Sequence, residues 1–372
     1  MKLTIERATF LRALAHVQSV VERRNTIPIL ANVLLEGKTG SLTLSATDMD
    51  LAINETVPAD TAQEGATTAP AHTLYDIVRK LPDGSQVEIE TDAAAGQLLI
   101  RAGRSRFNLA TLPVEDFPTM SGGDMPHTFS LEAEELRTLV DRTRFAVSTE
   151  ETRYYLNGIF LHAADEDGAN VLRAVATDGH RLARVQLPMP DGGDGIPGVI
   201  VPRKAIAELR KLIEETTDPV EIALSDTRVR MTFDDAVLTS KLIDGTFPDY
   251  ERVIPKDNDK VLSVDRGVFA QAVDRVSTIS SEKSRAIKLA LGPGQLTLSA
   301  TSAENGSASE ELEVAYDETE IEIGFNSRYL LDITAQIENE NAEFVLADAS
   351  SPTIVRDGGD ESALYVLMPM RV

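Results

Sequence analysis

Apolar and polar positions in this chain alternate over short stretches, shift to spacings of three and four, and then alternate again. The cycle runs three times. Leu3 and Ile5 alternate ahead of a stripe at Phe10, Leu11, Leu14, Val17 and Val21; Phe129 and Leu131 precede Leu136, Leu139, Val140 and Thr143; Leu262 and Val264 precede Val268, Phe269, Ala272, Val273 and Val276. A period of two predicts a strand and a spacing of three or four predicts one face of a helix, so each copy opens strand then helix. Alternating segments follow at 33–35 with 42–46, 158–162 with 171–176, and 287–291 with 295–300, with turn signals at 37–40 and 292–294. A second helix is predicted at 74–81, 204–215 and 327–337, the first two behind Pro70 and Pro202. Closing strands are expected at 87–90, 97–102 and 105–110, at 220–224, 228–233 and 237–242, and at 343–346, 353–355 and 363–368. The class this implies is α+β: three tandem copies of a domain whose two helices share one face of an open sheet.

Short markers fix the copy interval. LSATD (44–48), AVATD (174–178) and LSATS (298–302) place Thr177 130 residues after Thr47 and Thr301 124 residues after Thr177. Such intervals exceed the 20–50 residues of a solenoid repeat and suit whole domains. LPVEDFP (112–118) also parallels LIDGTFPDY (242–250), and the expected domains are 1–124, 125–256 and 257–372.

Composition narrows the function. With 42% hydrophobic and 26% charged residues the chain is ordinary globular protein, and no apolar run approaches the ~20 residues that span a bilayer. Glu6, Arg7 and Arg12 interrupt any signal-peptide core, so the N-terminus reads as mature structure. Cysteine is absent, which excludes disulfides, thiolate zinc sites and cysteine nucleophiles; the expected address is cytoplasmic, with no cofactor and no metal. The Asn305-Gly306-Ser307 acceptor is then a chance match. The net charge of −24, from 60 acidic and 36 basic side chains, speaks against a nucleic-acid partner if taken as one number. Its distribution does not: the predicted helical segments (7–24, 72–81, 131–144, 202–214, 264–276 and 327–337) carry +5 together and the remainder −29. Lys and Arg also serve as plain helix formers on solvated faces, and the count alone leaves both readings open.

Longer motifs then bring a resemblance. RYYLNG (153–158), ATDGHRL (176–182), VPRK (201–204), SKLIDGTFPDYERVIP (240–255), YVLMPMRV (365–372), PILANVLLE (28–36), GRSRFNLATLPVEDFP (103–118) and EIGFNSRYLLDI (322–333) resemble the bacterial DNA sliding clamps, the beta subunits of the replicative polymerase holoenzyme, along the whole chain. The resemblance implies a head-to-tail homodimer, a six-domain ring with helices inside and sheets outside, that encircles double-stranded DNA without reading its sequence and has no catalytic site. A strand carrying Arg101, Arg104, Arg106, Phe107 and Leu109 would meet an acidic stretch with Glu304, Glu310 and Glu311, beside Ile279, across the dimer interface. Arg24, Tyr154, Tyr155, Arg203 and Lys204 would contact DNA. Glu150 and Glu151 would weaken that contact nearby, and Ser350 and Pro352 lie where the family pattern diverges.

The resemblance further implies a pocket for short linear motifs of the replicative polymerase catalytic subunit, the clamp loader, repair polymerases and other clamp-motif proteins. Its recess would use Leu156, Thr177, Gly179, His180, Arg181, Leu182, Pro248, Val253, Val366 and Met368, and the groove would continue along Arg153, Asn326, Tyr329, Pro369, Met370 and Arg371. Methionines let one site accept varied side chains. Two other classes compete. Asp178 and His180 place an acid and a base in one short run, but no phosphate loop, metal-ligand spacing or second carboxylate cluster accompanies them. A triplicated scaffold with no DNA role would be indifferent to the basic helical residues.

Overall fold

The computed structural model describes residues 1–92, 94–120, 123–281 and 285–371. Val372, the last residue of the terminal motif, lies outside them. The six α-helices of these residues are α1 Arg7–Val20, α2 Ala71–Lys80, α3 Ala133–Arg144, α4 Arg203–Glu214, α5 Arg266–Ser277 and α6 Ser327–Thr334. Two compact units divide the chain: Met1–Arg137 with Pro190–Leu242, and Thr138–Met189 with Ile243–Val372. The second sequence copy contributes to both, and α3 straddles the boundary.

In the first unit α1 forms where the apolar stripe predicts. Phe10, Ala13, Leu14, Val17 and Val20 are fully buried, and truncating Phe10 would cost about 3–5 kcal/mol. Glu6 caps the helix by accepting from the Thr9 N–H at 2.8 Å, and Val21 ends it by donating to the Gln18 carbonyl. Arg23 and Arg24 therefore lie past the helix rather than on it. A five-stranded antiparallel sheet runs in the order Asp60–Gln63, Lys2–Glu6, Gln86–Asp92, Gln97–Ala102, Ser105–Ala110. The basic segment expected as one strand is thus a hairpin: Arg101 is on the inner strand, Arg104 in the turn, and Arg106 on the edge strand. Gly103, at φ 57, makes that turn possible.

An eight-stranded sheet joins the first two copies. Ala236–Lys241 of the second pairs antiparallel with Leu51–Pro58 of the first, with Leu238 opposite Ile53. The strand Leu51–Pro58 is hidden from sequence reading because Asn54 and Glu55 interrupt its apolar run. Glu55 is only 2% exposed, and His16 of α1 satisfies it at 2.7 Å.

The second unit repeats the construction. Seven antiparallel strands run Gly158–Glu166, Ala169–Thr177, Arg181–Pro188, Asp360–Leu367, Thr353–Asp357, Asn341–Leu346, Lys260–Asp265. Copies two and three meet where Ala183 faces Tyr365. The other sheet runs Gly306–Glu313, Gln295–Ser302, Ala286–Gly292, Ile321–Asn326. Its first strand, almost entirely polar, was not legible as a strand. Asp265 caps α5 through the Val268 N–H at 2.7 Å, and Phe269 packs on Phe344 with ring centroids 5.1 Å apart. Helix α6 stops at Thr334, short of the predicted residue 337.

Candidate functional site

The marker Ala-Thr-Asp folds into a specific turn. Thr177 Oγ1 donates to the Arg181 carbonyl at 2.7 Å and accepts from the Gly179 N–H at 3.1 Å. Asp178 Oδ1 accepts from the N–H groups of His180 (2.9 Å) and Arg181 (3.1 Å), and Oδ2 accepts from Arg181 Nε at 3.1 Å. Both carboxylate oxygens thus serve the turn, accepting from the His180 backbone N–H and from Arg181. Gly179 has φ 88, and a Cβ there would lie 2.7 Å from Arg153 Nη1. Glycine therefore admits Arg153 against the turn, where its Nη1 lies 3.5 Å from the Asp178 carbonyl.

Arg181 is a brace under this surface rather than an exposed lining residue. It is 8% exposed; Nη1 donates to Asp332 at 2.6 Å and Nη2 to the Phe145 carbonyl at 2.6 Å. Its guanidinium also lies 4.2 Å from the Tyr329 ring centroid and 5.1 Å from that of Phe145. Burial pushes the Tyr329 hydroxyl pKa up, with the Asp178 charge adding to it. Phe145 and Asp332 escaped the sequence reading, although Asp332 lies three residues beyond Tyr329 on one face of α6.

The C-terminal tail supplies the other wall. Leu182 pairs with Val366 across the sheet, both buried; the Met368 N–H donates to the His180 carbonyl at 2.9 Å, and the Met370 N–H donates to the Gly324 carbonyl at 2.7 Å. The tail is thus stitched to a second-copy turn and a third-copy strand. Met368 is 40% exposed between these ties. Asn326 caps α6 by accepting from the Arg328 N–H at 3.0 Å, ahead of Tyr329. Pro369 is half-buried and Arg371 exposed.

Val253 is exposed at the end of the short 3-10 helix Tyr250–Val253, and Pro248 is exposed just before it. The segment is anchored from below. Phe247 stacks on Phe160 at 4.8 Å, and the Tyr250 hydroxyl lies 3.0 Å from His162 Nε2 and 3.3 Å from Arg173 Nη1. Leu156, on the 3-10 helix Glu151–Leu156, is buried. Hydrogen bonds, a ring contact and strand pairing therefore bring together Arg153, Thr177, Gly179, His180, Arg181, Leu182, Tyr329, Val366 and Met368, with Met370 tied to Gly324, whereas Leu156 and Val253 lie on short 3-10 helices of the same unit and Pro248 just before the second.

The first copy carries the same turn with different chemistry. Thr47 Oγ1 donates to the Leu51 carbonyl at 2.8 Å, Asp48 Oδ1 accepts from the Asp50 and Leu51 N–H groups, and Met49, at φ 78, stands where the second copy has Gly179. The Lys241 N–H donates to the Asp50 carbonyl at 2.8 Å, the counterpart of Met368 on His180. Where copies two and three present methionine and histidine, copies one and two present a Lys241–Asp50 ion pair at 2.8 Å.

The expected DNA contacts divide. Arg24 and Arg203 are exposed, with no carboxylate partner among the described residues, and Tyr154 is 54% exposed with Tyr155 edge-on to it at 5.8 Å. Lys204 is instead held by the Asp48 carboxylate, by Glu22 at 3.5 Å and by the Val20 carbonyl at 3.2 Å. Burial opposes its charge, but the Asp48 and Glu22 contacts outweigh this and raise its pKa. Lys211 pairs with Glu208 at 2.9 Å and Arg210 with Glu214 at 2.8 Å, so helical position alone overstated the free positive charge. Arg153 itself is paired to Glu150 at 3.2 Å.

Of the expected interface residues, Phe107 and Leu109 share the half-buried face of the edge strand Ser105–Ala110, and Arg106 points to the exposed one. Glu310 and Glu311 lie on the edge strand Gly306–Glu313, Glu304 in the preceding turn, and Ile279 just beyond α5. Glu310 is engaged within its own chain by Arg275 at 2.5 and 3.0 Å. Among the described residues no group of three His, Asp or Glu is placed to hold a metal, and no helix is long and apolar enough to cross a membrane.

Tandem α+β modules joined through continuous sheets, with the turn 177–182 tied to the strand and tail after residue 360 where the last two meet, define a clamp-type protein. The three domains described for the DNA polymerase III beta subunit match in order: N-terminal over residues 1–121, central over 130–249 and C-terminal over 251–371. The beta sliding clamp of Caulobacter vibrioides is 57% identical over 372 residues, and that of Escherichia coli K12 is 38% identical over 375, each match covering 100% of both chains. Among solved structures, Caulobacter crescentus pol III beta superposes with a TM-score of 0.94 at 56% identity, and the Bartonella birtlesii sliding clamp bound to griselimycin with 0.97 at 50%, again over 100% of both chains. The chain belongs to the DNA polymerase III beta subunit family, the beta sliding clamps of DNA replication.

Proposed function

We propose that the chain forms a head-to-tail homodimeric ring of six domains, helices inside and sheets outside, that encloses duplex DNA in the cytoplasm and tethers the replicative polymerase. The observation that carries this reading is the match of all three beta-subunit domains in sequence order along the whole chain. Domains 1–124, 125–256 and 257–372 would each supply two helices to the hole. Two identical head-to-tail joints close a ring, and pairing Ser105–Ala110 with the partner copy's Gly306–Glu313 would remove two free sheet edges of the described fold. Arg24, Arg203, Tyr154 and Tyr155 supply weak contacts that let the ring slide, Lys204 a lesser one because its charge is shared with Asp48.

The groove between the turn 177–182, the tail 366–371 and the side chains of Asn326 and Tyr329 takes the short motifs of the polymerase catalytic subunit, the clamp loader and repair polymerases. Support comes from the tail's two backbone ties, which hold an exposed methionine in place. The chain acts by topology and docking, without chemistry of its own. After loading, it should remain on nicked circular duplex and run off linear duplex; equal loss from both would defeat the ring reading.

A further inference from the structure

Helices α4 and α6 occupy equivalent places in copies two and three, each beginning directly after a strand, with Pro202 and Asn326 as the preceding residues. Their second residues are both cations, Lys204 and Arg328. Lys204 is pinned by Asp48 and Glu22. Arg328 is not: its nearest carboxylate among the described residues, Asp332, lies 3.9 Å away and is already held by Arg181 at 2.6 Å.

Beside Arg328 opens a cavity of about 410 Å3, lined by Ser277, Thr278, Ser280, Arg285, Ser327, Arg328, Leu331 and Asp332. That is room for on the order of ten water molecules. Arg285 has φ 49, a left-handed conformation uncommon outside glycine, and the conformation is held from both sides: its N–H donates to the Ser281 carbonyl and its carbonyl accepts from the Ser327 N–H, each at 2.9 Å. The hydroxyls of Ser277, Thr278 and Ser280 donate back to carbonyls of the α5 end, so they offer only lone pairs to the cavity. Among the described lining residues, its cationic donors are the two guanidiniums. In a chain of net charge −24, two arginines line one cavity whose carboxylate among the described residues, Asp332, is already bound by Arg181, a charge balance that favours an anion there.

We propose that Arg285 and Arg328 form a binding site for a backbone phosphate of duplex DNA, the third copy's counterpart to the basic start of α4. This rests on the DNA-encircling reading above. A phosphate, rather than an acidic side chain of a docked peptide, is favoured because Arg328 holds the place that Lys204 holds in the second copy, on a helix that reading puts inside the ring.

The test is binding of the full chain to a fluorescent linear duplex across 25–200 mM salt. For Arg285→Gln/Arg328→Gln, the slope of log K against log salt should become shallower by about 0.9 for each phosphate that is no longer neutralised, with melting temperature and clamp-motif peptide binding unchanged. Arg328→Lys, alone, should keep most of the slope. A double variant with the wild-type slope overturns the assignment, as does one with weakened peptide docking and an unchanged slope, which would give the cavity to the groove. A wild-type chain without salt-dependent DNA binding would overturn the encirclement reading first, and this site with it.

Discussion

Arg181 lies with its guanidinium 4.2 Å from the centroid of the Tyr329 ring, so a second-copy cation is the floor on which a third-copy aromatic rests. The same guanidinium holds Asp178, Asp332 and the Phe145 carbonyl. One buried group thereby fixes the turn, the helix and the ring between them. Replacing Arg181 by Ala would leave Asp178 and Asp332, both partly exposed, without their shared cation, at a cost below the roughly 3–5 kcal/mol of breaking a fully buried pair. Denaturant unfolding should register that drop in stability. Arg181→Lys should recover little of it, because an ammonium cannot span three partners at fork geometry.

Gly179 and Met49 hold equivalent turn positions at φ 88 and φ 78. Gly179→Ala should cost about 1–2 kcal/mol from the left-handed backbone. Its Cβ would also meet Arg153 Nη1 at 2.7 Å, so peptide docking should weaken along with stability, read by calorimetry on a clamp-motif peptide. Met49→Gly should do the opposite to stability, raising it by roughly 0.5–1 kcal/mol without touching the groove. A destabilised Met49→Gly protein would show that the methionine makes compensating contacts.

His16 is buried between Glu55 at 2.7 Å and Glu215 at 3.2 Å, with Arg12, Asp234 and Asp235 around the same cavity. Burial works to lower its pKa, but the hydrogen bonds and charges of Glu55 and Glu215 prevail and raise it above 6.5. The protonated form is therefore the one the fold favours. Its contribution is fully present below pH 6.5 and is lost as pH rises through the raised folded value. The melting temperature of wild type should exceed that of His16→Gln at pH 6, and the gap should narrow steadily toward pH 9.

Phe107, on the exposed edge strand, is the apolar centre of the proposed dimer joint. Phe107→Ala should weaken self-association by about 2 kcal/mol or more, roughly 30-fold, visible as monomer in sedimentation at micromolar concentration. Arg275→Ala releases Glu310 from its intrachain pair and should change the salt dependence of association while sparing the fold. Unchanged mass for Phe107→Ala at all concentrations would place the joint elsewhere.

What the sequence determined by itself was the periodic part. The helices around Phe10, Leu136 and Phe269 and the threefold copy interval follow from residue spacing, because amphipathic periods and turn residues act locally, while the family was read from the resemblance of longer motifs. The strand Leu51–Pro58 and the edge strand Gly306–Glu313 were not legible, since a buried Glu55 and a polar edge carry no apolar alternation. Charge was legible only as position along the chain. Whether Lys204 is free or pinned, whether Arg181 is open to solvent or braces its neighbours, and whether Glu310 faces outward or grips Arg275 depend on partners 156, 151 and 35 residues away. Tertiary structure alone decided these, because an ion pair is set by distance in space, which packing fixes and sequence separation does not.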